Sequence, residues 1–117
     1  MTSPTATTAA VREALALLGI RRLLLGIHDA AFPADPAEDT GCGTPNGDGA
    51  ERFLAWAASL GFDGLQLGPQ GITSAFDPSP YDGTLFSRNP LALSLARLAR
   101  GEGGALLRRE ALAVLVR

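Results

Sequence analysis

Lysine is absent from the chain: all ten basic residues are arginines, set against twelve acids, and the net charge is −2. Without a Lys-Ser or Lys-Thr pair, the short, proline-stiffened turn Gly68-Pro69-Gln70-Gly71 does not meet the requirements of a phosphate-binding loop. A charge so near zero creates no field that would draw nucleic acid or an anionic membrane. There is one cysteine, Cys42, which excludes an internal disulfide and any multi-cysteine metal site. A reducing, cytoplasmic setting is the expectation that follows. Cys42 also lacks the surrounding His/Asn pattern of a thiol nucleophile, and neither a metal nor a cofactor is expected. No apolar run approaches the ~20 residues of a membrane span. The Thr- and Ala-rich first ten residues have neither the basic segment nor the apolar core of a signal peptide. Length is short as well: 117 residues suffice for one domain, not for a complete (β/α)8 barrel of about 250 residues. With Ala, Gly and Leu abundant, the missing lysine reads as genomic bias rather than chemistry.

What is present alternates between helix and strand. Met1 to Thr8 is small and polar and is expected to fray. Val11, Ala14, Leu15 and Leu18 recur at helical spacing and predict a helix over Ala9 to Leu18, with Gly19 as its stop. Arg22 to Ile27 is almost continuously apolar beyond its arginine, as in a parallel strand buried on both faces. A Pro-, Asp- and Gly-rich loop, His28 to Gly49, follows, with Asn46 or Asp48 as candidate caps for the next helix. That helix, Ala50 to Leu60, presents Phe53, Leu54, Ala57 and Leu60 on one face and ends at Gly61. Gly64 to Leu67 is the second strand, so that strand, helix and strand form a βαβ unit expected to be parallel. Pro90 opens a predicted helix through Ala99. Gly101 to Gly104 is a break, and the Arg-Arg-Glu-Ala-Leu core between Ala105 and Val116 favours helix over the alternative of an extended segment.

The most informative stretch is Gly61 to Pro90. It starts as the second strand, breaks at Gly68-Pro69, and becomes a loop of about twenty residues, a length uncommon in compact domains unless functional or disordered. Its Tyr and two Phe argue against a disordered linker. A strand running into an aromatic, polar loop suits a binding rim above a barrel or an open α/β sheet. The wording LQLGPQG followed by SPYDGTLFSRNP resembles the second-strand region of the 4-α-glucanotransferases (the amylomaltase or disproportionating-enzyme family, glycoside hydrolase family 77), in which LPLGPTG precedes SPYQ and GNP. Leu65, Leu67, Gly68, Pro69 and Gly71 match, as do Ser79-Pro80-Tyr81 and Asn89-Pro90. Gln66 and Gln70 replace the usual Pro and Thr, and Asp82 and Arg88 stand where Gln and Gly are common. Upstream, Ile27-His28 and Pro33 fit the family's first-strand end, Leu-His-Pro-Thr-Ser-Leu-Pro, from which Asp29-Ala30-Ala31 departs. Gly41-Cys42-Gly43 and Ala50 to Leu54 fit its Gly-Ile-Gly turn and the Arg-Phe-Leu helix. Residues 23 to about 98 carry the likeness.

The resemblance implies an α/β fold, part of a (β/α)8 TIM barrel: the first two β/α units and the start of an insertion. Residues 1–20 would be an N-terminal extension with a short helix, and 21–117 the N-terminal part of the barrel domain. It implies an enzyme that moves α-1,4-glucan segments between maltooligosaccharides by a retaining mechanism. The nucleophilic Asp and acid/base Glu would lie on later strands outside this chain, the rest of the barrel being needed for a stable fold. Retaining chemistry needs two carboxyls about 5 Å apart. Asp63, Asp77 and Asp82 suit turns instead, so no catalytic residue is assigned. The candidate substrate contacts are His28, Ser79, Tyr81 and Asn89. His28 sits just past a strand end, where imidazole can hydrogen-bond sugar hydroxyls or simply hold the turn. Asp29 beside it points the other way if the strand continues, as a loop or capping group. Pro80 fixes Ser79 against Tyr81, and the Tyr ring offers a flat apolar face and a hydroxyl. The alternative for Tyr81 is to pack as part of a rigid loop. The alternatives are a non-catalytic truncated remnant, a small carbohydrate-binding α/β module, or an unrelated α/β protein with a fortuitous Ser-Pro-Tyr loop.

Overall fold

The computed structural model describes residues 4–82, 86, 88–101 and 106–116. The chain opens with α1, Pro4–Leu17. The helix therefore begins earlier than the hydrophobic spacing indicates and takes in Pro4 to Thr8 of the stretch expected to fray, whose first three residues lie outside the described ones. Pro4 fits a first helical turn, where its missing N–H has no partner to lose, and the alanines that follow are strong helix formers. Gly19, at φ +69°, turns the chain away from α1. Strand β1, Leu24–Ile27, leads through a single 3-10 turn, Asp29–Ala31, into the long loop. Helix α2, Asp48–Ser59, follows and ends at Gly61, whose φ of +99° favours glycine. Strand β2, Gly64–Leu67, has the limits that the flanking glycines set.

β1 and β2 pair in parallel, Leu24 opposite Gly64 and Ile27 opposite Leu67, as the strand–helix–strand order requires. Among the described residues the sheet has these two strands alone. β1 is not buried on both faces as its hydropathy suggests: Leu24 is 51% exposed, and Leu23, Leu25 and Ile27 are half-buried. The reason is the lack of cover, since no described helix makes extensive contact with either strand. The buried apolar residues are Phe32, Ala50, Ala57, Ala96 and Ala99. The loop after β1 packs on α2 through Phe32, edge-on to Phe53 at 5.8 Å, with Phe53 against Trp56 at 5.5 Å. α1 leans on α2, where the Thr8 hydroxyl donates to the Ser59 carbonyl.

The helix expected from Pro90 to Ala99 is broken in two. A 3-10 turn, Pro90–Ala92, is capped by Asn89, and α3, Leu95–Arg100, is capped by Ser94, whose Oγ accepts from the Arg97 amide. Leu93 between them is extended. Two side-chain caps five residues apart each start their own turn, so the chain bends where apolar spacing alone would run on. α4, Arg109–Leu115, packs on α3. Most of the expected break after Gly101, and part of the Ser-Pro-Tyr loop, lie outside the described residues. No helix among the described residues is long and apolar enough to cross a membrane.

Candidate functional site

Parallel pairing brings both strands to finish on the same side, and the loops that leave them meet there. Between the loop after β1, the loop after β2 and the turn at Pro90 lies a cleft of about 410 Å3. Its walls include His28, Asp29 and Cys42 from the first loop, Gln70, Thr73 and Tyr81 from the second, and Asn89 and Leu91 from the turn. A more open cavity of about 650 Å3 lies over the strand ends and shares His28, Pro69 and Tyr81 with it.

His28 leaves β1 with extended backbone, and its carbonyl accepts from the Ala31 amide. Its imidazole lies directly over Gly68, where a Cβ would overlap the ring. Gly68 is thus a close-approach glycine: its amide donates to the Ile27 carbonyl at 3.1 Å while its bare α-carbon seats the histidine. The Tyr81 ring meets His28 nearly edge to face, with centroids 6.4 Å apart and planes at 70°. Two residues from different loops therefore form one rim, and both are exposed; Tyr81 is 71% exposed. Together they offer an aromatic face, a phenol hydroxyl and ring nitrogens.

The other two expected contacts serve the loop's own structure. Asn89 lines the cleft, but its Oδ1 accepts from the Leu91 amide at 3.0 Å and its Nδ2 donates to Thr73 Oγ1 at 3.1 Å. Ser79 Oγ accepts from the Tyr81 amide at 3.3 Å, a local turn that aims Tyr81. Ser79 is not among the residues lining the cleft. Asp77 is a turn acid, its Oδ1 accepting from the Ser79 amide at 3.1 Å, while Ser74 Oγ accepts from the amides of Phe76 and Asp77. Asp63 Oδ2 accepts from the Leu23 amide at 3.3 Å, tying the start of β2 to that of β1.

Gln70 and the cleft role of Asp29 are what the reading of the sequence missed. Asp29 Oδ2 accepts from Gln70 Nε2 at 2.8 Å, and Asp29 Oδ1 is buried with no donor among the described residues. The one available signal is that both positions depart from the glucanotransferase wording. The opposite wall is set by the turn at Pro90, where the Ala92 carbonyl accepts from Asn46 Nδ2 at 2.9 Å and from the Thr44 hydroxyl.

A second cleft of about 510 Å3 lies away from the strand ends, between the start of α2, α3 and α4. Its three acids, Asp35, Glu38 and Asp48, are all bonded. Arg100 and Arg97 both donate to Asp48, Arg97 also to Glu51 at 2.6 Å, and the Arg100 and Arg97 guanidiniums draw the Asp48 carboxyl down to about 2. This is the pattern of a structural ion network. No group of three metal-ligating side chains occurs among the described residues. Comparison with known proteins finds no matching family model, no matching curated protein and no matching solved structure, so the glucanotransferase likeness rests on the motifs themselves.

Proposed function

We propose that the chain forms the first two β/α units of a 4-α-glucanotransferase barrel and supplies contacts to an α-1,4-glucan beside the scissile bond. The observation that carries this reading is the His28–Tyr81 rim: two residues singled out by separate motifs meet edge to face over one cleft at the carboxyl ends of parallel strands. In (β/α)8 enzymes that end of the strands holds the active site. The exposed Leu24 and half-buried Leu25 and Ile27 of β1 suit strands that continue into a barrel.

In the proposed reaction, a carboxylate displaces the leaving sugar to form a glycosyl-enzyme, and a general acid protonates the departing oxygen. The 4-hydroxyl of an acceptor glucan then takes the place of water. Of the acids in the two loops, Asp29 is bonded to Gln70 and Asp77 to a main-chain amide, while Asp63 lies at the opposite end of β2. The family resemblance assigns the pair to residues outside this chain. Tyr81 would lie against a pyranose face and His28 would hydrogen-bond ring hydroxyls, holding the glucan for the pair. The chemistry calls for no cofactor, and the lone thiol of Cys42 fits a cytoplasmic enzyme.

The same bonded acids favour one other reading, a non-catalytic carbohydrate-binding module. Incubating the protein encoded by the complete reading frame with maltotriose separates the two. The enzyme gives glucose and longer maltooligosaccharides; a binding module retains maltoheptaose without transfer; the absence of both transfer and binding would overturn the assignment to glucans.

A further inference from the structure

We propose that the turn at Pro90 presents Leu91 as a sugar-facing wall of the cleft, and that Thr44 and Asn46 hold it there by clamping the Ala92 carbonyl. The inference rests on the glucan reading above and adds to it a specificity-determining residue and the groups that position it. Its basis is where the turn keeps an apolar side chain. Leu91 lines the cleft together with Pro69, Pro80 and Tyr81, and 60% of it is exposed. Ligand pockets pair apolar walls with a few placed polar groups. Here the polar groups are the phenol hydroxyl and the imidazole of the rim, and Leu91 lies on the wall that faces them. A pyranose has both surfaces, CH groups for the leucine and hydroxyls for the rim.

The turn is tied at both ends to the loops that carry the rim. At its start, Asn89 Oδ1 accepts from the Leu91 amide at 3.0 Å, Asn89 Nδ2 donates to Thr73 Oγ1 at 3.1 Å, and the Asn89 amide donates to the Gln70 carbonyl at 3.0 Å. That end is fixed to the loop after β2. At its finish, the Ala92 carbonyl accepts from Asn46 Nδ2 at 2.9 Å and from the Thr44 hydroxyl. Thr44 Oγ1 in turn accepts from the Asn46 amide at 3.2 Å, which closes the clamp and fixes this end to the loop after β1. Pro90 restricts the main chain between the two ends. Neither Thr44 nor Asn46 lines the cleft, so both act through the turn. A leucine held in place before the ligand arrives lowers the ordering cost of binding.

The test is Leu91→Ala in the protein encoded by the complete reading frame, read by KM and kcat for maltotriose and by thermal stability. The wall is made of CH groups and takes no part in the chemical step. KM should therefore rise about five- to thirtyfold with kcat nearly unchanged, the mark of lost uniform binding. The melting temperature should hold, because the side chain is exposed. An unchanged KM in folded Leu91→Ala would overturn the proposal; a lowered melting temperature beside it would show that the rest of the protein covers Leu91. If Leu91→Ala does not fold, Leu91→Gln decides: it keeps the length and removes the apolar surface, and an unaltered KM rejects the wall. The clamp has its own arm. Thr44→Val takes the hydroxyl away and should raise KM in the same sense, whereas Thr44→Ser keeps the hydroxyl and should restore it. Equal KM in both variants and the wild type would reject the clamp. Tyr81→Ala serves as the internal comparison. Should Tyr81→Ala impair transfer while Leu91→Ala does not, only the Leu91 wall falls. Should the wild-type protein neither bind nor transfer maltooligosaccharides, the glucan reading falls, and the wall with it.

Discussion

Tyr81 contributes little to the fold that holds it. Its ring is mostly exposed, its amide is satisfied by Ser79, and the aromatic contact it makes is the edge of His28. A side chain so placed can be removed with little loss of packing, so its effect should appear in ligand binding. Tyr81→Ala should lower kcat/KM for a maltooligosaccharide ten- to hundredfold, the equivalent of about 1–3 kcal/mol for a buried apolar contact. Tyr81→Phe should cost less, because the face stays. Both should melt near the wild-type temperature; a lowered melting temperature with full kcat/KM would retire the contact. Gly68 gives a second handle on the same rim. A methyl at Gly68 overlaps the His28 ring, and the ring, being exposed, can swing aside. Gly68→Ala should therefore keep the helical circular dichroism of the protein and reduce kcat/KM about as much as His28→Ala does. Full activity in folded Gly68→Ala would mean that the imidazole's seat is irrelevant. The rim could be picked out from the sequence because Gly-Pro and Ser-Pro-Tyr are local features. The duties of Ser79 and Asn89 could not, since whether a polar side chain faces a ligand or its own main chain depends on how the loop closes.

Helix α2 shows why some boundaries are readable and others are not. β2 sits between glycines that punctuate the sequence, and its limits follow from them. The sequence offers Asn46 or Asp48 as a local cap for α2, but the N-cap residue is Gly47 and has no side chain to offer. The acceptor comes from a distance: Glu38 Oε1 takes the amides of Asp48 at 2.8 Å and Gly49 at 3.3 Å, and Glu38 Oε2 accepts from the Ser94 hydroxyl at 3.3 Å. One carboxylate thus stands in for a cap and ties the loop and α2 to the start of α3, with its charge favourably placed at the helix N-terminus. Spacing in a sequence does not reveal a cap that arrives by tertiary folding. Glu38→Ala should lower unfolding free energy by roughly 1–2 kcal/mol, the range for a lost N-cap, read as a reduced denaturant midpoint; an unaltered midpoint would show that Glu38 holds nothing. The other end of this assembly responds to acid. Hydrogen bonds from Arg100 and then Arg97 hold the Asp48 carboxyl at about 2 against its usual 3.8. A depressed carboxyl contributes fully above its unfolded value and loses that contribution as pH falls. Stability should therefore decline between pH 3.8 and about 2. Asp35 adds in the same direction, its carboxyl lowered by the Ala37 amide and then Arg52. Asp48→Asn should flatten that decline, and an identical acid profile in the variant would remove Asp48 from the account.

Taken together, the 117 residues carry more apolar surface than they cover. The radius of gyration is 17.5 Å, against about 13 Å for a compact chain of this length. Among the described residues the buried apolar set is four alanines and Phe32, and no large side chain is fully buried. Alanine burial removes little area from water, so the hydrophobic return is small. β1 and β2 pair over four residues, and among the described residues no further strand pairs with the outer edge of either. A two-stranded sheet is marginal without a hydrophobic face packed against something else. Hydropathy in β1 announced a strand that needs covering on both sides; it carried no information about which element would supply the cover. In a closed barrel a neighbouring strand would pair with each edge, and helices and core side chains would cover the leucines. Expressed alone, the 117 residues should behave as a molten globule or aggregate: helical far-UV signal, strong binding of a hydrophobic dye, no sharp thermal transition. They should also fail to disproportionate maltotriose, because the rim would be loose and the carboxylate pair is assigned elsewhere. A reversible, cooperative transition together with monomeric sedimentation would show that these elements cover themselves well enough. Two parallel strands would then be the core of an independent module, and the barrel assignment would lose its physical support even if the cleft still bound glucan.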